Sequence, residues 1–359
     1  MQNVAGKDRR EQDGVTMAGT PKPTLAKVAE RAGVSVASVS RVLNGLPATP
    51  EMTKRVTEAA EALSYVPDAF ARSLRAGRTF QVALAVADIG NPTYVAMMRT
   101  VEAALRPTNY RIVLYSTGTD TDGELAFVES LRSGTVDGLI LQTVRARDEL
   151  LEALAELPMP AVVIGNLPDG ADVDCVRTDS GLGIGLAVRH LADMGRRRIA
   201  LLNGPVETAP GRIRLQGFEE AMRARGCTVE PGMVMECADF NHHDGYLAAA
   251  ALLEEHAPDA IVCANDLIAM GALRALTERG LRIPQDVAVT GMDDTDLAAM
   301  CNPPLTTVSL GAEERAGLAV ELLRERIEDH ERPVACREVV PSLVVRESSR
   351  SVDQFMDRS

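Results

Sequence analysis

TLAKVAERAGVSVASVSRVLN, running from Thr24 to Asn44, shows the helical period in its first half, where Leu25, Val28, Ala29 and Ala32 fall at i, i+3, i+4 and i+7. Gly33 breaks the run. Ser35 then stands where an N-cap is needed, opening a second helix from Val36 to Leu43. The stretch therefore reads as two short helices joined by a tight turn. In the second helix Val39, Val42 and Leu43 can pack back on the first. That leaves Val36, Ala37, Ser40 and Arg41 outward, with Ser35 and Ser38 beside them.

Small side chains with one arginine are unusual for a face that only meets solvent, but they suit a helix entering a DNA major groove. There Ala and Val touch a thymine methyl, Arg reaches guanine O6 and N7, and hydroxyls bond phosphates. Helix-turn-helix pairs also arise inside all-helical domains, so the pattern alone leaves both readings open. The residues from Thr49 onward, TPEMTKRVTEAAEALSYVPDAFARSLRAGRT, extend the match. From Thr24 through Thr79 the chain resembles the DNA-binding headpiece of the LacI/GalR family of bacterial repressors. The resemblance implies a headpiece over 23–67 with Thr24, Ser35, Val36, Ala37, Ser38, Ser40, Arg41 and Asn44 as its DNA-binding residues. It also implies a hinge helix over 68–79 that forms on operator DNA, with Leu74 wedged into the minor groove, where unstacking a base step bends the duplex. On sequence alone 68–79 is a short basic linker, and Leu74 can equally pack on the body. Met52 departs from the family by standing where a hydroxyl contact to phosphate is usual. The loop between Asn44 and Thr49 is one residue short.

At 359 residues the chain exceeds one ordinary domain, and with 46% apolar residues it can bury large cores. No apolar run approaches the roughly 18 residues that span a bilayer. Residues 1–22 are polar, lack the apolar core of an export signal and read as a disordered tail. The net charge of −13 at first argues against a nucleic-acid partner. Its distribution reverses that: residues 21–80 hold nine Lys and Arg against five acids, a balance of +4, and residues 81–359 carry −17. A basic module on an acidic body is what local phosphate binding requires. The six cysteines show no CxxC spacing and no histidine at metal-ligand distance, so reduced, buried thiols in a cytoplasmic protein are expected, with no metal and no cofactor.

Thr49 and Pro50 open a third helix with Val56, Ala59, Ala60 and Leu63 as its inner stripe. Beyond Gln81 the pattern changes to apolar runs at 82–88, 111–116, 138–142, 161–166, 198–204, 260–266 and 287–294, separated by helical segments. Such alternation predicts an α/β fold of buried parallel sheets, arranged as two lobes divided near residue 180. This part resembles sugar-binding periplasmic proteins and the effector domain of the same repressor family. The resemblance implies a two-lobed effector-binding and dimerisation domain over 80–348, followed by a tail over 349–359, with lobe crossings near Asp179, Ser309 and Val340. GLGIGLA at 181–187 nearly spells a dinucleotide fingerprint, but it lies inside a helical pattern rather than after a strand.

Ligands of open α/β sheets bind beyond the carboxyl ends of the strands, which directs attention to the residues following each run. Arginine, asparagine and aspartate there supply the paired donors and acceptors that vicinal sugar hydroxyls need. The resemblance places effector contacts on Arg214, Asp293, Asn265 and on Phe240, whose ring can stack on a sugar face; Asn91, Tyr94 and Asn166 join them from the first lobe. Asp266 reads better as the N-cap of the next helix, and Asp294 can serve similarly. Thr208 and Pro210 replace the larger polar residues of purine-responsive relatives, favouring a carbohydrate-like effector. No heptad tail follows, which favours a homodimer on pseudo-palindromic double-stranded DNA over a tethered tetramer. The expectation is a cytoplasmic, non-enzymatic transcriptional repressor with no membrane partner. Its rivals are a solute-binding protein without a DNA role, and an enzyme on an α/β scaffold, for which the five histidines offer no nucleophile–base pair.

Overall fold

The computed structural model describes residues 23–43, 46–65, 77–118, 121–168 and 170–350. The expected N-terminal tail over 1–22, residues 351–359 of the tail expected over 349–359, Asn44, Leu74 and most of the expected hinge helix lie outside them. The chain divides between Arg78 and Thr79 into two units.

The first unit contains α1 (Leu25–Ala32), α2 (Val36–Leu43) and α3 (Pro50–Ala62). The Thr24 hydroxyl caps α1 by accepting from Lys27 N, and Gly33 ends the helix at φ 64°, a conformation that favours glycine. Ser35 Oγ accepts from Ser38 N at 3.1 Å, and Thr49 caps α3 ahead of Pro50. Val28, Ala29, Ala32, Val39, Val56, Ala59 and Ala60 form the core, which fixes which face of α2 remains outside.

Two six-stranded sheets make the second unit. The first has the order β11-β5-β4-β3-β1-β2, all parallel. Its strands are β1 (Gln81–Val86), β2 (Arg111–Ser116), β3 (Gly138–Gln142), β4 (Ala161–Ile164), β5 (Asp174–Thr178) and β11 (Cys336–Val339). The second has the order β12-β10-β9-β8-β6-β7, with β12 antiparallel to β10. It consists of β6 (Ile199–Asn203), β7 (Val234–Glu236), β8 (Ala260–Cys263), β9 (Ala288–Met292), β10 (Thr306–Ser309) and β12 (Ser342–Val344). The chain passes between the sheets after β5, after β10 and between β11 and β12, where the three crossings were expected.

All seven apolar runs are strands. The five missed ones, β5, β7, β10, β11 and β12, are three to five residues long and each includes at least one polar side chain, so neither length nor continuous hydrophobicity marks them. GLGIGLA lies in the helix α7 (Ser180–Asp193), and its first glycine serves packing. Gly181 faces Gly217 on α8 (Ala209–Ala224), where a Cβ on Gly217 would come within 2.4 Å of the Gly181 carbonyl oxygen.

The expectation of six reduced thiols is corrected by a disulfide between Cys175 and Cys336. Register pairs these residues directly across β5 and β11, at a Cα–Cα distance of 4.5 Å despite 161 residues of sequence between them. No spacing rule along the chain sees such a pair. Cys227, Cys237 and Cys263 are buried free thiols, and Cys301 is half-buried.

Candidate functional site

The outward face of α2 is as the helical period requires: Val39 is buried, while Ser35, Val36, Ala37 and Arg41 are exposed and Ser38 and Ser40 are partly so. Val36, at 47% exposure, is an aliphatic side chain presented to solvent on a helix that has its own core. Ser35, Ala37, Ser38 and Arg41 share a groove with Thr49 and Met52 at the start of α3. The Ser35 and Ser38 hydroxyls stand 2.9 Å apart and bond each other.

In the second unit, the loops beyond the carboxyl ends of both sheets enclose a cavity of about 110 Å³. From the first sheet come Asp88, Asn91, Tyr94 and Met97 after β1, Gln142 at the end of β3 and Arg145 after it. The second sheet contributes Thr208 and Arg214 after β6, Asp239 to Asn241 after β7, Asn265 after β8, Asp293 after β9 and Arg315 after β10.

Arg214 is buried on α8, donates to the Ala264 carbonyl at 2.9 Å and lies over the Phe240 ring at 5.6 Å from its centroid. Burial lowers its pKa, against the pull of Asp293. Asp293 adopts φ 118° and its neighbour Asp294 φ 55°, backbone conformations that non-glycine residues take rarely and that concentrate at functional sites. Burial raises the Asp293 pKa to about 6, against Arg214 and Arg315, which lower it. Burial also pushes up the Tyr94 hydroxyl, and Asp293 adds to the shift.

A family model described as bacterial regulatory proteins of the lacI family matches residues 24–68, and one described as a periplasmic binding protein-like domain matches 188–349. The ribose operon repressor of Escherichia coli is 35% identical over 307 residues, covering 85% of this chain and 93% of that protein. This chain belongs to the LacI family. A LacI-family fold is also seen in solved structures: the Lac repressor dimer bound to operator and the anti-inducer ONPF has a TM-score of 0.81 at 26% identity, covering 92% of this chain and 99% of that one. A complex of the transcriptional regulator CelR with cellobiose has a TM-score of 0.69 at 33% identity, covering 91% and 99%.

In this LacI-family chain six of the seven expected effector residues line the one cavity: Asn91, Tyr94, Arg214, Phe240, Asn265 and Asp293. Asn166 is not among its lining residues. Asn265, rather than Asp266, caps α10 (Asp266–Glu278): its Oδ1 accepts from Ile268 N at 2.8 Å and its amide donates to the Phe240 carbonyl at 2.9 Å. With both ends engaged, Asn265 brackets the Phe240 loop. Asp266 is instead buried, accepting from Thr307 Oγ1 at 2.5 Å and from the Thr295 backbone and hydroxyl at 2.8 and 2.9 Å. Nor does Asp294 cap a helix. It pairs with Arg346 at 2.7 Å, and Thr295 caps the short helix that follows. Asn91 does double work, since its Oδ1 accepts from Thr93 N at 3.2 Å at the start of the helix α4 (Pro92–Leu105). Sequence reasoning missed Arg315, near the start of the helix α12 (Ala312–Glu328), because TTVS was not recognised as a strand and its carboxyl end was not searched.

Proposed function

We propose that this chain is a homodimeric transcriptional repressor of the LacI family that binds pseudo-palindromic operator DNA and is controlled by a small carbohydrate-like effector held between the two sheets. The observation that carries this reading is one chain holding both an exposed aliphatic-and-arginine face on α2 and a cleft lined by arginine, aspartate, asparagine and an aromatic ring. The names of the relatives support it: one regulates a ribose operon, one is bound to operator and one to cellobiose. Val36, Ala37 and Arg41 read base edges; Thr24, Ser35, Ser38, Ser40 and Asn44 position the backbone; Leu74 wedges the minor groove. The headpiece spans 23–67, the hinge 68–79 and the effector domain 80–348.

The protein acts in the cytoplasm, where its DNA partner lies, and no helix among the described residues is long and apolar enough to cross a membrane. We read the cleft as a binding site rather than a catalytic one, in keeping with relatives named as repressors and regulators. A solute-binding role without DNA leaves the exposed α2 face unexplained.

Anisotropy titrations on a duplex that the full-length protein selects from a random library test the DNA role. Log affinity falls with log salt at about −0.9 per neutralised phosphate. Arg41→Ala loses about 1–3 kcal/mol and relaxes preference at one base per half-site. Equal weakening on every duplex reassigns Arg41 to a phosphate, and salt-independent binding contradicts the reading.

A further inference from the structure

Arg315 lies in the cleft with only 8% of its surface exposed, and its Nε has no hydrogen-bond partner. Among the described residues its guanidinium makes no hydrogen bond or ion pair; it feels Asp293, Tyr94 and Arg214 only through the field. Arg214, 7% exposed, has one bond to a carbonyl and likewise an orphaned Nε. Asp293 also makes no ion pair among the described residues, so it attracts each guanidinium without direct contact while the two guanidiniums oppose one another.

Other charges lining the cleft are occupied or exposed. Arg145 pairs with Glu207 at 2.8 Å, Asp239 accepts from Phe240 N at 2.7 Å, and the exposed Asp88 accepts from Gly90 N at 2.8 Å. The deep part of the cleft thus holds two buried cations against one carboxylate. An unpaired buried charge is expensive unless a partner arrives. A guanidinium is a planar fork of donors whose preferred partner is a two-oxygen anion. A neutral sugar can satisfy donors but leaves the positive charge standing.

Resting on the effector cleft proposed above, we infer that the effector is an anionic carbohydrate, a polyol carrying a carboxylate or phosphate, and that Arg315 together with Arg214 receives its oxyanion while Asp293 takes its hydroxyls. Arg315 is then the residue that separates a charged sugar from its neutral parent.

The test is calorimetry on the full-length protein with D-ribose and D-glucose, with ribonate, gluconate and glucuronate, and with ribose 5-phosphate and glucose 6-phosphate. Each is titrated into wild type, Arg315→Gln and Arg315→Lys, with thermal melts to confirm folding. At least one acid or phosphate is expected to bind wild type about 10- to 100-fold tighter than its neutral parent, the worth of a charge-assisted hydrogen bond or two. Arg315→Gln is expected to weaken the acid or phosphate more than its neutral parent, erasing the preference, and Arg315→Lys to restore part of it. The carboxylate and phosphate arms show which anion the cleft takes. A neutral sugar binding wild type as tightly as its acids and phosphates overturns the inference while leaving the carbohydrate cleft intact, as does equal weakening of neutral and anionic ligands by Arg315→Gln. Heat from no member of the panel overturns the carbohydrate cleft and the inference together.

Discussion

The Arg214 guanidinium lies 5.6 Å from the centroid of the Phe240 ring, a cation held against an aromatic face inside the cleft. Gly204 leaves room for that ring: a Cβ at position 204 would fall 2.1 Å from Phe240 Cε1. Gly204→Ala must therefore displace the ring. It is expected to weaken effector binding by about 1 kcal/mol, the scale of a cation–π contact and a stacking face, while leaving operator affinity in the absence of effector unchanged. Calorimetry with the sugar or sugar acid that binds wild type checks this, and unaltered affinity contradicts the assigned role of Phe240.

Asp293 gives the fold a pH dependence of definite sign. Burial raises its pKa in the folded state to about 6, although Arg214 and Arg315 oppose the shift. The folded state therefore holds this proton more tightly than the unfolded chain does, and stability contributed by the group is lost as pH rises from the ordinary carboxylate range through about 6. Asp293→Asn removes this group's share, while Asp266, which burial raises to about 7, keeps its own. Ligand-free wild type should melt progressively below Asp293→Asn as pH rises from 4 to 7, by a difference of roughly 1–3 kcal/mol at neutral pH. A difference that shrinks over this range means that attraction to the two arginines outweighs burial.

The Cys175–Cys336 bridge joins the strands β5 and β11, from which the chain leaves the first sheet on two of its crossings. Closing so long a loop stabilises mainly by restricting the unfolded chain, typically by about 2–4 kcal/mol. Cys336→Ser is expected to lower the melting temperature without reductant, and dithiothreitol should bring wild type down to the variant. Disulfides are rare in the cytoplasm, so the redox state of the pair in cells bears directly on the proposed location. Identical melting of both proteins with and without reductant contradicts a stabilising bridge.

Much of this architecture was legible because burial writes a periodic record into the sequence. The two helices of 24–44, the third behind Thr49 and the seven apolar strands each had a core face long enough to show it. Short strands did not: DCVRT and TTVS mix polar with apolar residues, and with TTVS went Arg315. Capping chemistry misled in a different way. Asn265 and Asp266 are adjacent, both can cap, and only the fold shows that the asparagine caps while the aspartate turns inward to Thr295 and Thr307. Asn166 follows a strand as a ligand group should, yet it does not line the cavity. The disulfide lay beyond any local rule, since it depends on which strands become neighbours.

The central claim is that occupancy of the cleft sets operator affinity, and one paired titration tests it most directly. Anisotropy on the selected duplex is measured with and without a saturating amount of the sugar derivative that binds wild type, for wild type and for Asp293→Ala. A ligand shifts an equilibrium only by its difference in affinity for the two states, commonly 5- to 150-fold, or about 1–3 kcal/mol. Wild type is expected to change operator affinity within that range, and Asp293→Ala to keep its effector-free affinity and lose the response. An Asp293→Ala protein that still responds at wild-type ligand concentrations would contradict the account, because control would then come from a site other than this cleft.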